Sequence, residues 1–413
     1  STGKDSVYQT TLSCSGYKFY IDQSKGEIYN PDSLPYGIDG KKVLCTVSSK
    51  NSGSIVIKSL TSDSLAYYSS TDSMNFTTPR EFRVYNQEGT AYRKYTVHVN
   101  VHKEVADSFR WDATSAINDN IAALSAMKGV ALNSQIFLMG NSGGVAKLYS
   151  TSQNSVSGWN EITPNIVMST DAYKSLIVKD DYIYTYNSGS VIRSKDGISW
   201  ETVSNEPLTR LVGCTSAKMY ALSGSGIKIS LDGGVTWTVD VMEDALNLLP
   251  TDNVNMFSFA SPVNDNTNNL VLVGNRDASF TSDAYAMVWG KVEENAAGSE
   301  NQPWAYYNIT EENKYPAPRL TNLQTVKYGD AIMAFGGSGL GLSTEKAFNK
   351  FYMSYDKGIT WQNDSLITQP IGFKCAAASF ALVADNNNCI WLICGGSGQV
   401  WKGHINKVAW KEE

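Results

Sequence analysis

SLDGGVTW (residues 230–237) returns as SYDKGITW (354–361), and in a form one residue shorter as SKDGISW (194–200). Each copy keeps a serine, an aspartate, a glycine and a tryptophan in the same order. An aspartate beside a serine suggests chemistry, but the repetition argues against it. An enzyme needs one active site, whereas a ring of similar units needs the same corner many times. In such a corner the aspartate accepts hydrogen bonds from turn amides, and the glycine takes backbone angles that a side chain disfavours. The tryptophan then opens the next strand and packs against its neighbours. Ser194, Asp196, Trp200, Ser230, Asp232, Gly234, Trp237, Ser354, Asp356, Gly358 and Trp361 are therefore expected to be structural.

Other landmarks keep step with these corners. Gly/Ser turns occur at NSGG (141), NSGS (187), SGSG (223), GGSG (336) and GGSG (395). Trp111, Trp159, Trp200, Trp237, Trp304, Trp361 and Trp410 mark off six intervals. The intervals follow one plan, two apolar runs, a Gly/Ser turn in five of the six, a third run, a turn and a tryptophan, as in YKSLIV, DYIYTYN, SVIRS and SWETVS. Four short strands per unit, repeated around a ring, is the pattern of a β-propeller. Residues 105–413 are expected to form six blades, with the Trp111 segment as an extra outer strand that closes the ring. Seven blades would need more residues.

Residues 1–104 follow a different grammar. All ten tryptophans lie beyond them, from Trp111 onward. KFYID, GSIVIKSL, EFRVYN and YRKYTVHVNV are short alternating runs between turn residues, and EFRVYNQEGTAYRKYTVHV reads as a hairpin connected by NQEGT. The expectation is a small antiparallel module resembling an immunoglobulin-like sandwich. The whole chain is thus expected to be all-β.

Composition narrows the chemistry. The 413 residues carry a net charge of −6, which gives no electrostatic reason to expect nucleic acid. No apolar run approaches a membrane span, and STGKDS reads as the polar start of a trimmed chain. Cys14, Cys45, Cys214, Cys375, Cys389 and Cys394 lack metal-ligand spacing and read as free thiols, three of them in apolar surroundings. His98 and His102 share the polar face of a strand, and His404 stands alone, so neither a histidine triad nor a multi-histidine metal centre is expected. No cofactor or metal is expected. GGSGLG (336–341) lacks a following GKS or GKT and reads as a blade corner rather than a phosphate loop.

The corners resemble the Asp boxes of sialidases, sortilin-type receptors and other Asp-box propellers. FYID…GEIYNPDSLPYG followed by FTTPREFRVYNQEGTAYRKYTVHV and the propeller resembles a family of exported Bacteroides-type lipoproteins. That resemblance implies an Ig-like module before an Asp-box (BNR, sialidase-like) propeller, and a chain exported to the periplasm, outer membrane or cell surface. Membrane contact is then expected only through an N-terminal lipid anchor outside this chain. A sialidase needs an arginine triad and an Arg-Ile-Pro opening, and Phe109-Arg110-Trp111 does not supply it. Only Arg193, Arg210, Arg276 and Arg319 follow Trp111.

A second register involves cations. Lys174 precedes Ser188 and Ser194 by the same separations at which Arg210 precedes Gly224 and Ser230. Lys128, Arg319 and Lys374 stand at comparable first-strand entries, and Arg210 and Arg319 share a Pro-x-x-Arg-Leu frame (PLTRL, PAPRL). These five are expected to ring one mouth of the channel and favour an anion, with Arg210 and Arg319 as main contacts. The functional expectation is a non-catalytic binding protein for a glycan or protein ligand. The alternatives are a glycan-active hydrolase or lyase with an unmarked carboxylate pair, or a scaffold of an envelope complex.

Overall fold

Alternating apolar and polar residues make a sheet of the N-terminal part of the chain. A computed structural model of the protein describes residues 11–102, 108–112, 116–262 and 264–405. The chain divides into two compact units, the larger being Phe109–Ile405. In the other unit the strands are β1 (Tyr20–Asp22), β2 (Glu27–Tyr29), β3 (Ile55–Lys58), β4 (Leu65–Tyr67), β5 (Arg80–Tyr85) and β6 (Tyr92–His98). They form one six-stranded sheet in the order β1-β2-β6-β5-β3-β4. The hairpin expected from the sequence is β5–β6, in register from Arg80↔Val97 to Tyr85↔Tyr92. Asn86 Oδ1 locks its connection by accepting from the Thr90 and Ala91 amides. One pair departs from the antiparallel expectation, because β2 runs parallel to β6. Ile55, Ile57, Phe82 and Val97 form the core with Met74 and Phe76. The last two belong to irregular chain joined to residue 43 by a single bridge, Val43↔Met74.

The larger unit, a β-propeller, contains six antiparallel sheets in chain order, here I to VI. Their first strands are Ala126–Leu132, Ile177–Lys179, Arg210–Cys214, Asp252–Ala260, Gln324–Tyr328 and Phe380–Ala384. Sheets I to V have four strands each. Sheet VI takes its fourth strand from Phe109–Trp111, which pairs with Gln399–Ile405. Ala116–Ile117 pairs with that same strand at Val400 and Gln399. The first strands neighbour one another in a closed cycle, with that of VI against that of I.

Apolar side chains fill every space between successive sheets. Trp200 packs with Phe137 and Leu148 of sheet I and Ile183 and Ile192 of sheet II. Trp237 does the same between II and III, and Trp361 between IV and V. The repeated corner holds each ring in place. Asp232 Oδ1 accepts from the Val235 and Thr236 amides at 3.1 and 2.9 Å, and the Thr236 hydroxyl donates to Oδ2 at 2.6 Å. Those bonds from Thr236, hydroxyl first, hold the Asp232 carboxyl down at about 2. Ser230 Oγ caps the Gly234 amide, and the Trp237 indole donates to the Gly234 carbonyl at 2.9 Å. The indole bond recurs from Trp200 to Gly197 and from Trp361 to Gly358. Gly358 is needed twice over. Its φ is 92°, and a Cβ there would lie 2.8 Å from Val271 and 3.0 Å from Val288 of the preceding sheet.

Sheets without the octapeptide anchor their tryptophans otherwise. Trp159 donates to the Val156 carbonyl at 3.1 Å. Trp304, fully buried, donates to Asp240, which also accepts from Lys291 and Asn301. Trp410 lies outside the described residues. The six cysteines are free thiols, and of these only Cys394 is fully buried.

Trp361→Ala, which empties an inter-sheet layer, is expected to cost about 3–5 kcal/mol. Gly358→Ala, strained and overpacked, is expected to cost about 1–3 kcal/mol. Urea titrations followed by tryptophan fluorescence measure both.

Candidate functional site

In a four-stranded antiparallel sheet the first and third strands run the same way. The entry to strand one therefore lies at the opposite end from the corner between strands three and four. Six first-strand entries gather on the face away from Asp196, Asp232 and Asp356, together with the turns between strands two and three. There they enclose a cavity of about 280 Å³.

Every sheet contributes to its wall. Sheet I supplies Ala126 and Lys128, the segment entering sheet II supplies Tyr173 and Lys174, and sheet III supplies Arg210. Asp252, Asn253 and Asn255 come from sheet IV, Thr321, Asn322 and Gln324 from the entry to sheet V, and Ala378 from the entry to sheet VI. Arg276 comes from the loop between strands two and three of sheet IV. Leu340 comes from the insert 339–350, for which the sequence suggests no role.

The structure brings together three of the five cations expected at this mouth, Lys128, Lys174 and Arg210. Arg319 is not among them. It is fully buried, and its guanidinium donates to the carbonyls of Phe280 (2.5 Å), Asp283 (3.1 Å), Asp277 (3.1 Å) and Arg276 (3.4 Å). Its role is to clamp the 276–283 loop, so the expected ligand contact is corrected to a structural one. The reason lies in the preceding sheet. Arg210 enters beside sheet II, whose turn at Ser188-Gly189 is tight; Arg319 enters beside sheet IV, whose long loop folds over it. Lys374 also misses the cavity. It is exposed, and among the described residues its backbone is engaged by the Gln399 and Ser397 side chains.

The three cations differ in environment. Lys174 stands in the turn Ala172–Ser175, is half-exposed, and pairs with Asp171 at 2.9 Å. Arg210 is buried at 8% exposure; its nearest acid, Asp252, is 4.0 Å away, and its Nε has no hydrogen-bond partner. Lys128 makes no side-chain hydrogen bond or ion pair among the described residues. Its open surface faces the cavity and protein encloses the rest. Burial, reinforced by the Arg210 cation, pushes its ammonium down to about 7. Arg276 is already neutralised by Asp283 at 2.8 and 2.5 Å and lies over the Phe280 ring. Burial likewise raises Tyr173 above its usual range.

Sequence reasoning missed the amides and Asp252. Asn322 Oδ1 accepts from Gln324 at 2.9 Å and from Asn253 at 3.3 Å, linking the entries of sheets IV and V. Asn253 and Asn322 both take positive φ, 53° and 49°, which asparagine tolerates better than most residues. The signal available was the pair of Thr- and Asn-rich entries, TDNVN (251–255) and TNLQT (321–325).

Fold and site thus define a β-propeller with a cation-lined cavity where its sheets converge. The chain belongs to the DUF6242 family. Residues 105–413 match the DUF6242 beta propeller domain, and residues 1–99 match the N-terminal domain of the same family, a domain of unknown function. A search of curated proteins found no match. Among solved structures the chain is similar to a Trichoderma reesei carbohydrate-active enzyme of family AA12, with 10% identity and a TM-score of 0.43, covering 75% of this chain and 100% of that one. It is also similar to the WD40 domain of Toxoplasma gondii coronin, with 7% identity and a TM-score of 0.38, covering 73% of this chain and 88% of that one. A gluconolactonase from Xanthomonas campestris gives 10% identity and a TM-score of 0.38, covering 72% and 95%.

Two outcomes follow from the side-chain environments. Arg319→Ala strands four carbonyls and is expected to lower stability by about 2–4 kcal/mol, read from thermal or urea unfolding. Lys128, depressed in the folded state, binds fewer protons than the unfolded chain between about pH 7 and the usual lysine range. Stability from this group therefore rises with pH across that window. Lys128→Met is expected to raise the melting temperature at pH 6 and to change it little at pH 10, measured by scanning calorimetry.

Proposed function

We propose that the protein is an exported, non-catalytic binding protein that holds a glycan or protein ligand at the cavity where the six sheets converge. The observation that carries this reading is the wall itself. Residues from all six sheets meet around one small opening, and among apolar side chains they set amides, hydroxyls, cations and one carboxylate. Such groups form hydrogen bonds in many directions at a rigid, concave site, which suits a polar ligand.

A six-bladed architecture accounts for the six sheets, and the corner bonds of Asp196, Asp232 and Asp356 are those required of Asp boxes used as scaffold. An Ig-like origin for the N-terminal unit rests on the resemblance alone, since its described strands form one six-stranded sheet and not the two sheets of a sandwich. Export and lipid anchoring rest on the resemblance to exported Bacteroides-type lipoproteins. A glycosidase at this cavity would need two facing carboxylates, and Asp252 is the single carboxylate in the described wall.

A glycan array probed with the purified full chain tests the reading. The expected result is retention of a restricted set of glycans, with the same glycans recovered unchanged after prolonged incubation. Turnover would replace the binder with an enzyme, and a silent array would remove the glycan.

A further inference from the structure

We infer that Lys128 and Arg210 together form a seat for one carboxylate, presented by an acidic sugar residue such as a uronic acid. This deepens the binding reading above and rests on it for the sugar; the seat itself stands on the geometry of the two cations.

Two positive groups face one cavity, and the single carboxylate in its described wall, Asp252, stands 4.0 Å from Arg210 and makes no ion pair with Lys128. Lys128 has no bonded partner among the described residues, and the charged group that acts on it most is Arg210, which repels it. Arg210 is more than nine-tenths buried and lines the cavity, and its Nε proton has no acceptor. A buried donor left unsatisfied costs free energy, as does an unpaired buried charge. A carboxylate in the cavity would answer the unpaired charge, while the enclosed Arg210 Nε keeps the guanidinium short of bonds. Its two oxygens suit the planar fork of a guanidinium, and its charge offsets the repulsion between the pair.

The remaining wall argues for a sugar. Asn253, Asn255 and Gln324 keep their amide oxygens, and Thr321 its hydroxyl, for sugar hydroxyls, while Asn322 is spent on Gln324, Asn253 and the Phe380 carbonyl. A cavity of about 280 Å³ lies at the small end for ligand sites.

The seat is linked to pH. The charged and titratable groups facing Lys128 across the cavity are Arg210, Lys174 with Asp171 beside it, Tyr173, Asp252 and Arg276. Of the strands flanking its own, Gln135–Ser142 and Phe380–Ala384 bring none, and Ile177–Lys179 brings Lys179, whose ammonium donates to the Thr215 and Ser216 carbonyls. With its free ammonium held near 7, Lys128 must take up a proton to pair with a carboxylate at higher pH. Affinity therefore falls as pH rises above about 7, by up to about tenfold per unit.

Titration calorimetry of the full chain with galacturonate and with galactose, at pH 6 and 8.5, tests this. The expected result is that galacturonate binds about 10- to 100-fold more tightly than galactose at pH 6. That preference disappears in Lys128→Met, and Asp252→Asn tightens binding by removing the competing acid. Lys128→Arg keeps the preference and loses the pH dependence, an outcome that a merely structural lysine would not produce. In parallel, acetate is titrated into lysine-13C-labelled protein, with the Lys128 signal assigned by its loss in Lys128→Met. The expected result is a shift of that signal and a rise in its pKa. If both sugars bind alike, indifferent to pH and to Lys128→Met, the seat is overturned while the glycan reading survives. If neither sugar binds but acetate moves the Lys128 signal, the seat stands and the sugar is withdrawn. An unmoved signal with acetate and galacturonate alike overturns the seat outright.

Discussion

The pairing of Phe109–Trp111 with Gln399–Ile405 is the constraint on which the larger unit depends. Each sheet of the ring is apolar on both faces and needs a neighbour on each side to keep water out. Without closure, sheets I and VI would expose Leu138, Trp391 and Ile393, which are now buried between them. Building the last sheet from both ends of the unit makes the six layers one cooperative structure. The tight contacts near the axis depend on it too. A Cβ at Gly129 would lie 2.6 Å from Val383 across the joint between first and last sheets.

Closure also explains why the repeated corner is scaffold. The glycine and tryptophan of each repeated corner project against the preceding sheet, so every corner is a clasp between neighbours. Asp232 and Asp356 spend their oxygens on local amides and hydroxyls. Little acceptor capacity is left for a ligand. The opposite face is built differently. There the entries meet as strand ends without a shared local motif, so each sheet is free to present a different side chain.

That freedom separates three residues at comparable first-strand entries. Lys174 is answered by an acid three positions earlier, Arg319 by carbonyls of a neighbouring loop, and Arg210 by an acid too distant to bond. The same charge is thus a solvated surface group, an internal clamp, or a group facing a cavity. The anion preference proposed for the mouth therefore rests on Lys128 and Arg210 and not on Arg319.

The sequence by itself determined the elements whose bonds are local. The octapeptide closes its hydrogen bonds within its own length, so three copies announced three corners, and the spaced tryptophans located the fourth strands. Asn86 likewise settled the β5–β6 hairpin within a few residues. What only the tertiary structure decided was the environment of each cation and the parallel pairing of β2 with β6. Arg319 meets carbonyls some forty positions away in sequence, Arg210 meets Asp252 at a similar separation, and β2 finds β6 across most of the N-terminal unit. A side chain's charge is written in its own position; whether that charge is neutralised, buried or offered to a ligand depends on chains that arrive beside it only when the ring closes.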